Sequence, residues 1–400
     1  MRQRMCCRRL SRAVTTIFLF LFAPANAETE AFRLIGQFGG PHELIEALFV
    51  AGDIAYVGSL LHGVRLLDVS NPASLTVIGV IPVPYPVVEI AVSGHHAYVG
   101  CGPPPKRSGM FDSFLVYDVS DPTAPRLVSI CETPGYAGDI TVADNLAYVA
   151  CGQGGLLIID VSDPVRPTVR GCFNPRSQAM VLDMGDLKNP EIHRFVYDPA
   201  ASPGLPAAAQ PIPGVDFFKI AARGVCLYEN LAYVPYSNSA SDEAGLWILD
   251  VNTPSSPTLK GNYPLPKYSV GGCISVARGY VCVGGDELHI IDVSYASSPT
   301  LCDTYRARGS FSSHTTSGSL VFSYSIRNGL QVWDVTEPAN VLIRATFGIN
   351  AHVAFLSGDR VFLAGDPEGL RILEYDDTAS SPTPLRPPPP AKPPTPHIGW

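Results

Sequence analysis

The side chains of this 400-residue sequence that are best suited to chemistry are acids and histidines. Acids recur at the ends of similar apolar runs, while His42, His314 and His352 stand outside those runs. Carboxylates act as general acids or bases, and carboxylates and imidazoles together can hold a divalent metal ion. Which of these chemistries is possible depends on which side chains the folded chain brings together.

The recurring acids mark an internal repeat. Each follows an apolar run and precedes Val or Tyr and then a polar turn, as in GLLIIDVSDPVRP at 155–167. The intervals from each acid to the next along the chain are 50, 42, 90, 42, 42 and 40. A repeat of about 40–45 residues is typical of a four-stranded propeller blade. The seven acids are Asp68, Asp118, Asp160, Asp250, Asp292, Asp334 and Glu374.

Each copy also contains three further short runs. One run lies upstream of the acid, such as AYVG at 55–58 and 97–100. A second run comes before the AYVG run, and a third follows the turn after the acid. The runs are rich in β-branched and aromatic residues and are bounded by Gly, Pro, Asn or Asp, which is typical of strands. No long helical period appears. The sequence therefore predicts an all-β fold, a seven-bladed β-propeller of four-stranded blades over residues 28–376.

The two ends of the repeat region predict how the ring closes. No fourth strand follows Glu374, whereas FRLIGQF at 32–38 resembles a fourth strand with no blade before it. Pairing the two completes the last blade and removes exposed sheet edges. An open solenoid is the alternative, and it leaves the N-terminal strand unexplained.

The repeated strings resemble those of a known family. LLIID, FLVYD, LHIID and LWILD, each followed by Val and a turn that contains Ser or Asn, are similar to LVIVD repeats. The resemblance covers roughly residues 32–376 and implies a propeller-like, exported or surface protein. It implies no particular reaction. The copies at Leu320 and Glu374 depart from the pattern.

The repeated acids are predicted to be structural. Asp followed by Val and Ser or Asn can accept hydrogen bonds from nearby backbone N–H groups and so cap a turn. Features that all copies share build the ring, whereas features of one copy are the candidates for function.

Three single-copy features stand out, and we expect all of them on one face of the ring. About 48 extra residues, roughly 174–223, account for the interval of 90. They form either a surface excursion or a decayed eighth blade, because FVYDPAASP at 195–203 resembles FLVYDVSDP. The loops at 101–113 and 236–245 are also enlarged. Lys106, Arg107 and Phe111 in the first loop are candidate binding residues, and a solvated loop is the alternative.

The mouth of the central channel is the second candidate site. Glu89 and Asp139 lie where strands nearest the axis begin, so they are candidate binding residues. His42, His314 and His352 belong to blades that are adjacent in a closed ring, and three imidazoles with a carboxylate suit a divalent metal. A wet, polar mouth without a ligand is the alternative. The sequence contains no GxSxG, HExxH, phosphate-loop or EF-hand motif, and no cofactor is identified.

The N-terminus predicts export. Five arginines between Met1 and Arg12 precede an apolar segment at 13–22 and then Ala-Asn-Ala at 25–27, which is the layout of a secretory signal over residues 1–27. Without it, 23 basic residues face 36 acidic ones, a formal charge of −13. Such a surface argues against nucleic acid or an anionic membrane as partner. The mature chain contains no segment suited to be a transmembrane helix.

The remaining cysteines and the C-terminus carry two further predictions. Eight cysteines follow the signal, and in an oxidising compartment they suggest disulfides. The first pairs to test are Cys101 with Cys151, Cys131 with Cys172, and Cys273 with Cys282. Residues 377–400 are proline-rich and are expected to form an extended, disordered tail.

Two functions are compatible with these features. The favoured one is an exported, non-enzymatic propeller, in the periplasm, at the cell surface or outside the cell, that binds a protein or glycan partner through its loop-rich face. The alternative is a propeller hydrolase or dehydrogenase that uses a metal or cofactor at the channel mouth.

Overall fold

The computed structural model describes the seven repeats and parts of their connections. The described residues are 31–39, 45–59, 62–83, 86–102, 113–174, 180–183, 192–197, 220–238, 243–266, 270–271, 273–306, 310–325, 327–338, 340–349, 351–365, 369–379 and 383–384. The signal segment predicted over residues 1–27 lies outside them. Within these ranges, no helix has the length and apolarity needed to cross a bilayer.

The described residues form 32 strands and two short 3₁₀ helices, Pro72–Ser74 and Asp377–Ala379. The first strands, in chain order, are β1 (Phe32–Phe38), β2 (Ile45–Ala51), β3 (Ile54–Ser59), β4 (Gly63–Asp68), β5 (Thr76–Ile81), β6 (Val87–Ser93), β7 (His96–Cys101), β8 (Ser113–Asp118), β9 (Arg126–Glu132), β10 (Asp139–Ala143), β11 (Leu146–Ala150), β12 (Leu156–Asp160), β13 (Thr168–Phe173), β14 (Met180–Asp183) and β15 (Ile192–Tyr197).

The second half of the chain continues the same series. Its strands are β16 (Ile220–Ala222), β17 (Cys226–Tyr228), β18 (Leu231–Asn238), β19 (Ala244–Asp250), β20 (Thr258–Leu265), β21 (Cys273–Ala277), β22 (Tyr280–Gly284), β23 (Glu287–Asp292), β24 (Thr300–Arg306), β25 (Phe311–Ser317), β26 (Leu320–Ser325), β27 (Gly329–Asp334), β28 (Leu342–Phe347), β29 (Val353–Ser357), β30 (Arg360–Gly365), β31 (Gly369–Tyr375) and β32 (Thr383–Pro384).

These strands form seven antiparallel blades, as predicted. Blade one is the sheet β2-β3-β4-β5, and six further sheets repeat its order from the inside to the outside. The inner strands contact one another around the ring, β2 with β6, β6 with β10, β21 with β25, β25 with β29 and β29 with β2. The inner strands therefore surround the axis, and the strands that end in the repeated acid lie third from it.

The ring closes through the N-terminal strand, which confirms the prediction. β1 pairs antiparallel with β31, so that Phe32 lies opposite Tyr375 and Phe38 opposite Leu370. An ion pair between Arg33 and Glu374 joins the same two strands. The seventh blade is thus assembled from both ends of the chain.

The repeated acids cap turns, as the sequence predicts. One carboxylate oxygen of Asp160 accepts a hydrogen bond from the backbone N–H of Ser162 at 2.9 Å, and the other accepts from Nε of Arg170 on the fourth strand at 2.8 Å. The turns after Asp68, Asp118, Asp250, Asp292 and Asp334 contain the same backbone hydrogen bond.

Apolar packing occurs at the seven seams between blades. The described residues form seven buried clusters, and each contains residues from two adjacent blades. The glycine that ends AYVG makes this packing possible, because an inner-strand isoleucine of the next blade lies against it. Ile90 Cδ1 would lie 3.0 Å from a β-carbon on Gly58, and Ile140 Cδ1 would lie 3.2 Å from one on Gly100.

The described part of the insertion does not form an eighth blade. β14 and β15 form a hairpin, and β15 runs parallel to β9, which extends the outer edge of blade two. Near the C-terminus, β32 pairs with β28 of blade six. The segment predicted as a disordered tail over 377–400 therefore begins with residues that belong to the fold, and residues 385–400 lie outside the described ranges.

The disulfide prediction is wrong for this structure, in which none of the eight cysteines after residue 100 forms a disulfide. Cys101 lies in the core between blades one and two, and Cys151 lies in the next core along the ring. Cys273 faces Gly284 and Cys282 faces Ser275, so these two cysteines are diagonal neighbours. Diagonal Cα atoms are about 7–8 Å apart, beyond the usual reach of a disulfide. Cys131 and Cys172 form no disulfide either.

Candidate functional site

The two faces of the ring differ in what they carry. Because the strands alternate in direction, the capped turns between third and fourth strands lie on one face. The connections between second and third strands and those between blades lie on the other, which we call the loop-rich face. Both enlarged loops and the 174–223 insertion start and end there. Glu89 and Asp139 lie near the start of their inner strands and so belong to this side of the channel.

Glu89 and Asp139 form a half-buried carboxylate pair. They lie on the inner strands of adjacent blades, β6 and β10. Burial, together with the nearby charge of Asp139, raises the pKa of Glu89 well above its usual range. Burial raises the pKa of Asp139 to about 6, although backbone N–H groups act in the opposite direction. The pair therefore resists full ionisation at neutral pH, as expected of two carboxylates removed from bulk water.

Asp139 also fastens blade three to blade four. The inner strand of blade four is split, because Arg223, Gly224 and Val225 separate β16 from β17 while both strands pair with β18. The split leaves the N–H of Val225 outside the ladder, and Asp139 Oδ2 accepts its hydrogen bond at 2.7 Å. Thr141 donates to the carbonyl of Val225 at 3.2 Å. The acid has a structural role at this position.

A second polar group lies beside this seam, and the sequence did not predict it. Arg223 is half-buried, donates from Nε to Ser237 Oγ at 2.8 Å and from Nη1 to the hydroxyl of Tyr136 at 3.3 Å. The ring of Tyr136 fits between Gly138 and Gly152, since a β-carbon on either would lie 2.6 Å from it. The signal available in sequence was only that Arg223 ends the insertion. We call Arg223, Tyr136 and Ser237 the seam triad.

The predicted histidine cluster does not form among the described residues. His314 occupies the position that Ile90 and Ile140 occupy in other blades, and a β-carbon on Gly284 of blade five would lie less than 3.0 Å from its ring. Burial lowers its pKa to about 3. His352 is exposed on blade seven. His314 faces blade five, so the two do not share a site, and His42 lies outside the described residues.

The described ranges contain no group of three or more His, Cys, Asp or Glu side chains placed to hold a metal ion. Lys106, Arg107 and Phe111, predicted to bind on the first enlarged loop, also lie outside these ranges. The chemistry observed on the loop-rich face is therefore a half-buried carboxylate pair and, one seam away, a triad of hydrogen-bond donors.

A pair of substitutions separates the two roles of Asp139. Asp139→Asn keeps an acceptor for Val225 but removes the charge, so we expect the free energy of unfolding at pH 7 to rise by about 1–3 kcal/mol. Because the folded pKa of Asp139 lies above the unfolded value of 3.8, the gain should disappear as the pH falls through 6 towards 4. Urea unfolding at several pH values measures both effects.

Asp139→Ala is the matched control, because it removes the charge and the acceptor together. We expect it to be less stable than Asp139→Asn by about 1–3 kcal/mol at every pH, since the N–H of Val225 loses its partner. Equal stability of the two variants would show that the hydrogen bond to Val225 contributes nothing.

The fold and the repeats together define a class of protein: a closed seven-bladed β-propeller whose blades share one strand-and-turn phrase. The LVIVD repeat model matches residues 46–81, 87–133, 134–174, 221–264 and 272–307, which is more than half of the chain. The chain belongs to the LVIVD repeat family. None of the curated proteins compared with it matches.

Solved structures with similar folds are distant in sequence. A chain of the mitotic checkpoint complex is 12% identical with a TM-score of 0.57, over 94% of this chain and 100% of that one. The β-propeller domain of Cps50 (Swd1) from Myceliophteria thermophila is 11% identical with a TM-score of 0.56, over 86% and 100%. BamB from Moraxella catarrhalis is 11% identical with a TM-score of 0.50, over 83% and 85%. At these identities the similarity concerns the fold alone.

Proposed function

We propose that this LVIVD-repeat propeller is an exported, non-enzymatic scaffold that binds a macromolecular partner through its loop-rich face. The observation that carries the proposal is the asymmetry of the ring. The turn face repeats one capped turn around the ring, whereas the large insertion, both enlarged loops, the carboxylate pair and the seam triad belong to the opposite face. Sevenfold features stabilise the ring, and a binding surface requires features that occur once.

The alternative, an enzyme that works at the channel mouth, has one observation in its favour. Carboxylates with raised pKa values are a common feature of catalytic sites. Here Asp139 already has a structural partner in Val225, and burial of the pair accounts for both raised values. We therefore favour the binding scaffold, with a protein partner ahead of a glycan.

Site-specific photo-crosslinking in cells that produce the protein tests this proposal. A benzoylphenylalanine at Gln153, exposed on the loop-rich face, should form a discrete crosslinked product with a partner. The same residue at Val165, 52% exposed on the turn face, is the matched control and should form none. Crosslinks from position 165 alone, or equal crosslinks from both positions, would contradict a loop-face scaffold.

A further inference from the structure

The seam triad offers hydrogen-bond donors without an acceptor of opposite charge. A guanidinium has five N–H donors and no acceptor. The described residues show ion pairs to carboxylates for Arg33, Arg126, Arg170, Arg306 and Arg344. For the guanidinium of Arg223 they show only the hydroxyl oxygens of Ser237 and Tyr136 as partners.

Both hydroxyls remain able to donate. Because Ser237 Oγ and the Tyr136 oxygen accept from Arg223, each O–H proton points elsewhere, and the described residues provide no acceptor for either. The remaining guanidinium N–H groups and the two hydroxyl protons are thus left for a ligand, within one group of three side chains in contact. Such a set of donors is complementary to an oxyanion, because an oxyanion accepts several hydrogen bonds and its negative charge pairs with the positive charge of the guanidinium.

The triad is held in place by backbone geometry. Gly152 bridges to Ala222, and the N–H of Arg223 donates to the carbonyl of Pro235 at 2.8 Å. Tyr136 cannot swing away without leaving the slot between Gly138 and Gly152. Described residues of four segments meet here: Tyr136 in the link before blade three, Gly152 between β11 and β12, Arg223 at the split in blade four, and Ser237 near the end of β18. A pre-positioned site loses little side-chain entropy on binding.

We propose that the seam triad binds a single carboxylate presented by an otherwise neutral peptide segment of the partner. One guanidinium matches one negative charge. A dianionic phosphate would require a second cation, and the described residues of the seam provide none. Planar bidentate pairing with carboxylates is characteristic of arginine.

A peptide suits the seam better than a sugar acid. Glycan sites usually offer an exposed aromatic ring for stacking, but Phe173, Tyr236 and Trp247 are buried under this seam. Tyr136 contacts Arg223 through its hydroxyl, and its ring lies between Gly138 and Gly152. The inference rests on the proposed function, because it names the group by which the partner is recognised.

Titration of the full-length protein with small probes tests the inference directly. The probes are acetyl-GSQGSA with a free terminal carboxylate, acetyl-GSEGSA-amide, and acetyl-GSQGSA-amide. We expect dissociation constants on the order of 1 mM for the two acids in calorimetry or ligand-observed NMR, and no binding of the amide. Tighter binding of the first acid assigns a terminal carboxylate, and tighter binding of the second assigns an acidic side chain. Equal binding of the amide overturns the proposal.

Two arginine variants provide the matched comparison. Arg223→Gln should weaken binding of the acids at least tenfold, whereas Arg166→Gln, the same charge change on the exposed turn face, should alter it less than twofold. If the two variants weakened binding of the acids equally, the effect would come from the net charge of the protein and not from the seam triad, and the proposal would be wrong. Tyr136→Phe keeps the ring in its slot and should weaken binding about two- to fivefold, which keeps the test valid if Arg223→Gln is poorly folded.

Competing ligands separate the remaining outcomes. Tighter binding of inorganic phosphate than of either acid would overturn the carboxylate assignment, and tighter binding of glucuronate would replace the peptide by a glycan. The proposed function is tested separately from the carboxylate site: crosslinks from position 165 alone, or equal crosslinks from positions 153 and 165, would contradict it whatever the peptide titrations show. If only crosslinking at position 153 succeeds, the loop-rich face binds a partner without the seam triad.

Discussion

Replacing Gly79 by alanine should lower the free energy of unfolding by about 3 kcal/mol, because the added methyl group meets backbone and not a movable side chain. A β-carbon there would lie less than 3.0 Å from the carbonyl oxygen of Pro122 in the turn of the next blade. Gly36, Gly171 and Gly261 meet the corresponding turns of their neighbours in the same way. At the fourth-strand glycine, one blade therefore packs against the capped turn of the next blade.

Gly348→Ala is the control for this prediction. A β-carbon on Gly348 would have no atom within 4 Å, and its φ lies outside the left-handed region. We expect a change below about 0.5 kcal/mol in urea unfolding of that variant.

Blade two shows what a contrary result would mean. Its fourth strand has Ser129 at the equivalent position, and the hydroxyl donates to the carbonyl of Pro164 at 2.7 Å. If Gly79→Ala were no more destabilising than the control variant, blade one would be able to move outward to a similar spacing. The seam would then not depend on glycine.

Replacing His314 by isoleucine should make the protein less sensitive to acid. The pKa of His314 is lowered to about 3 in the folded protein, against 6.5 for an unperturbed imidazole. Because the folded pKa is the lower one, the unfolded chain takes up the proton first, and stability falls as the pH drops below 6.5. The loss is about 1.4 kcal/mol per pH unit, or about 3 kcal/mol at pH 4.5. His314→Ile should lack it.

The same substitution should also stabilise the protein at pH 7, by about 1–2 kcal/mol, because buried polar atoms without partners are unfavourable. Neither ring nitrogen of His314 has a hydrogen-bond partner among the described residues. Isoleucine fits the position, since Ile90 and Ile140 pack there in blades two and three.

Ile140→His is the reciprocal variant and should introduce acid sensitivity of the same sign. The measured quantity is the difference in the free energy of unfolding from wild type as a function of pH. Taking differences removes the opposite contribution of Glu89 and Asp139, which remain in all three proteins. A pH-independent difference for His314→Ile would show that the imidazole reaches water in the folded state.

The two faces of the ring give these stability effects a functional context. Gly79 and the capped turns act at seams that every blade shares, so their substitution should affect folding and leave recognition intact. Arg223 and Tyr136 occur once, beside the split inner strand of blade four. Substitutions there should alter binding with little effect on the ring, and this contrast separates the scaffold from the surface that it presents.

Most of the architecture could be predicted from sequence because it is repeated. Seven acids, with five of their six intervals between 40 and 50 residues, determine the number of blades, and the unpaired strand at 32–38 determines how the ring closes. The structural role of Asp160 and its equivalents was also predictable, because an Asp-Val-Ser turn satisfies its own backbone locally. Local turn chemistry depends on neighbours in sequence, and so sequence is enough to describe it.

Only the tertiary structure decided which single-copy residues meet. His314 was predicted to face the channel, but the register of β25 places it in the isoleucine position against Gly284. Cys273 and Cys282 were close in sequence, yet a diagonal register separates them. Arg223 is 87 residues from Tyr136 and 14 from Ser237, and the three meet where the inner strand of blade four is split. Such contacts depend on register and strand breaks, which no periodic pattern encodes.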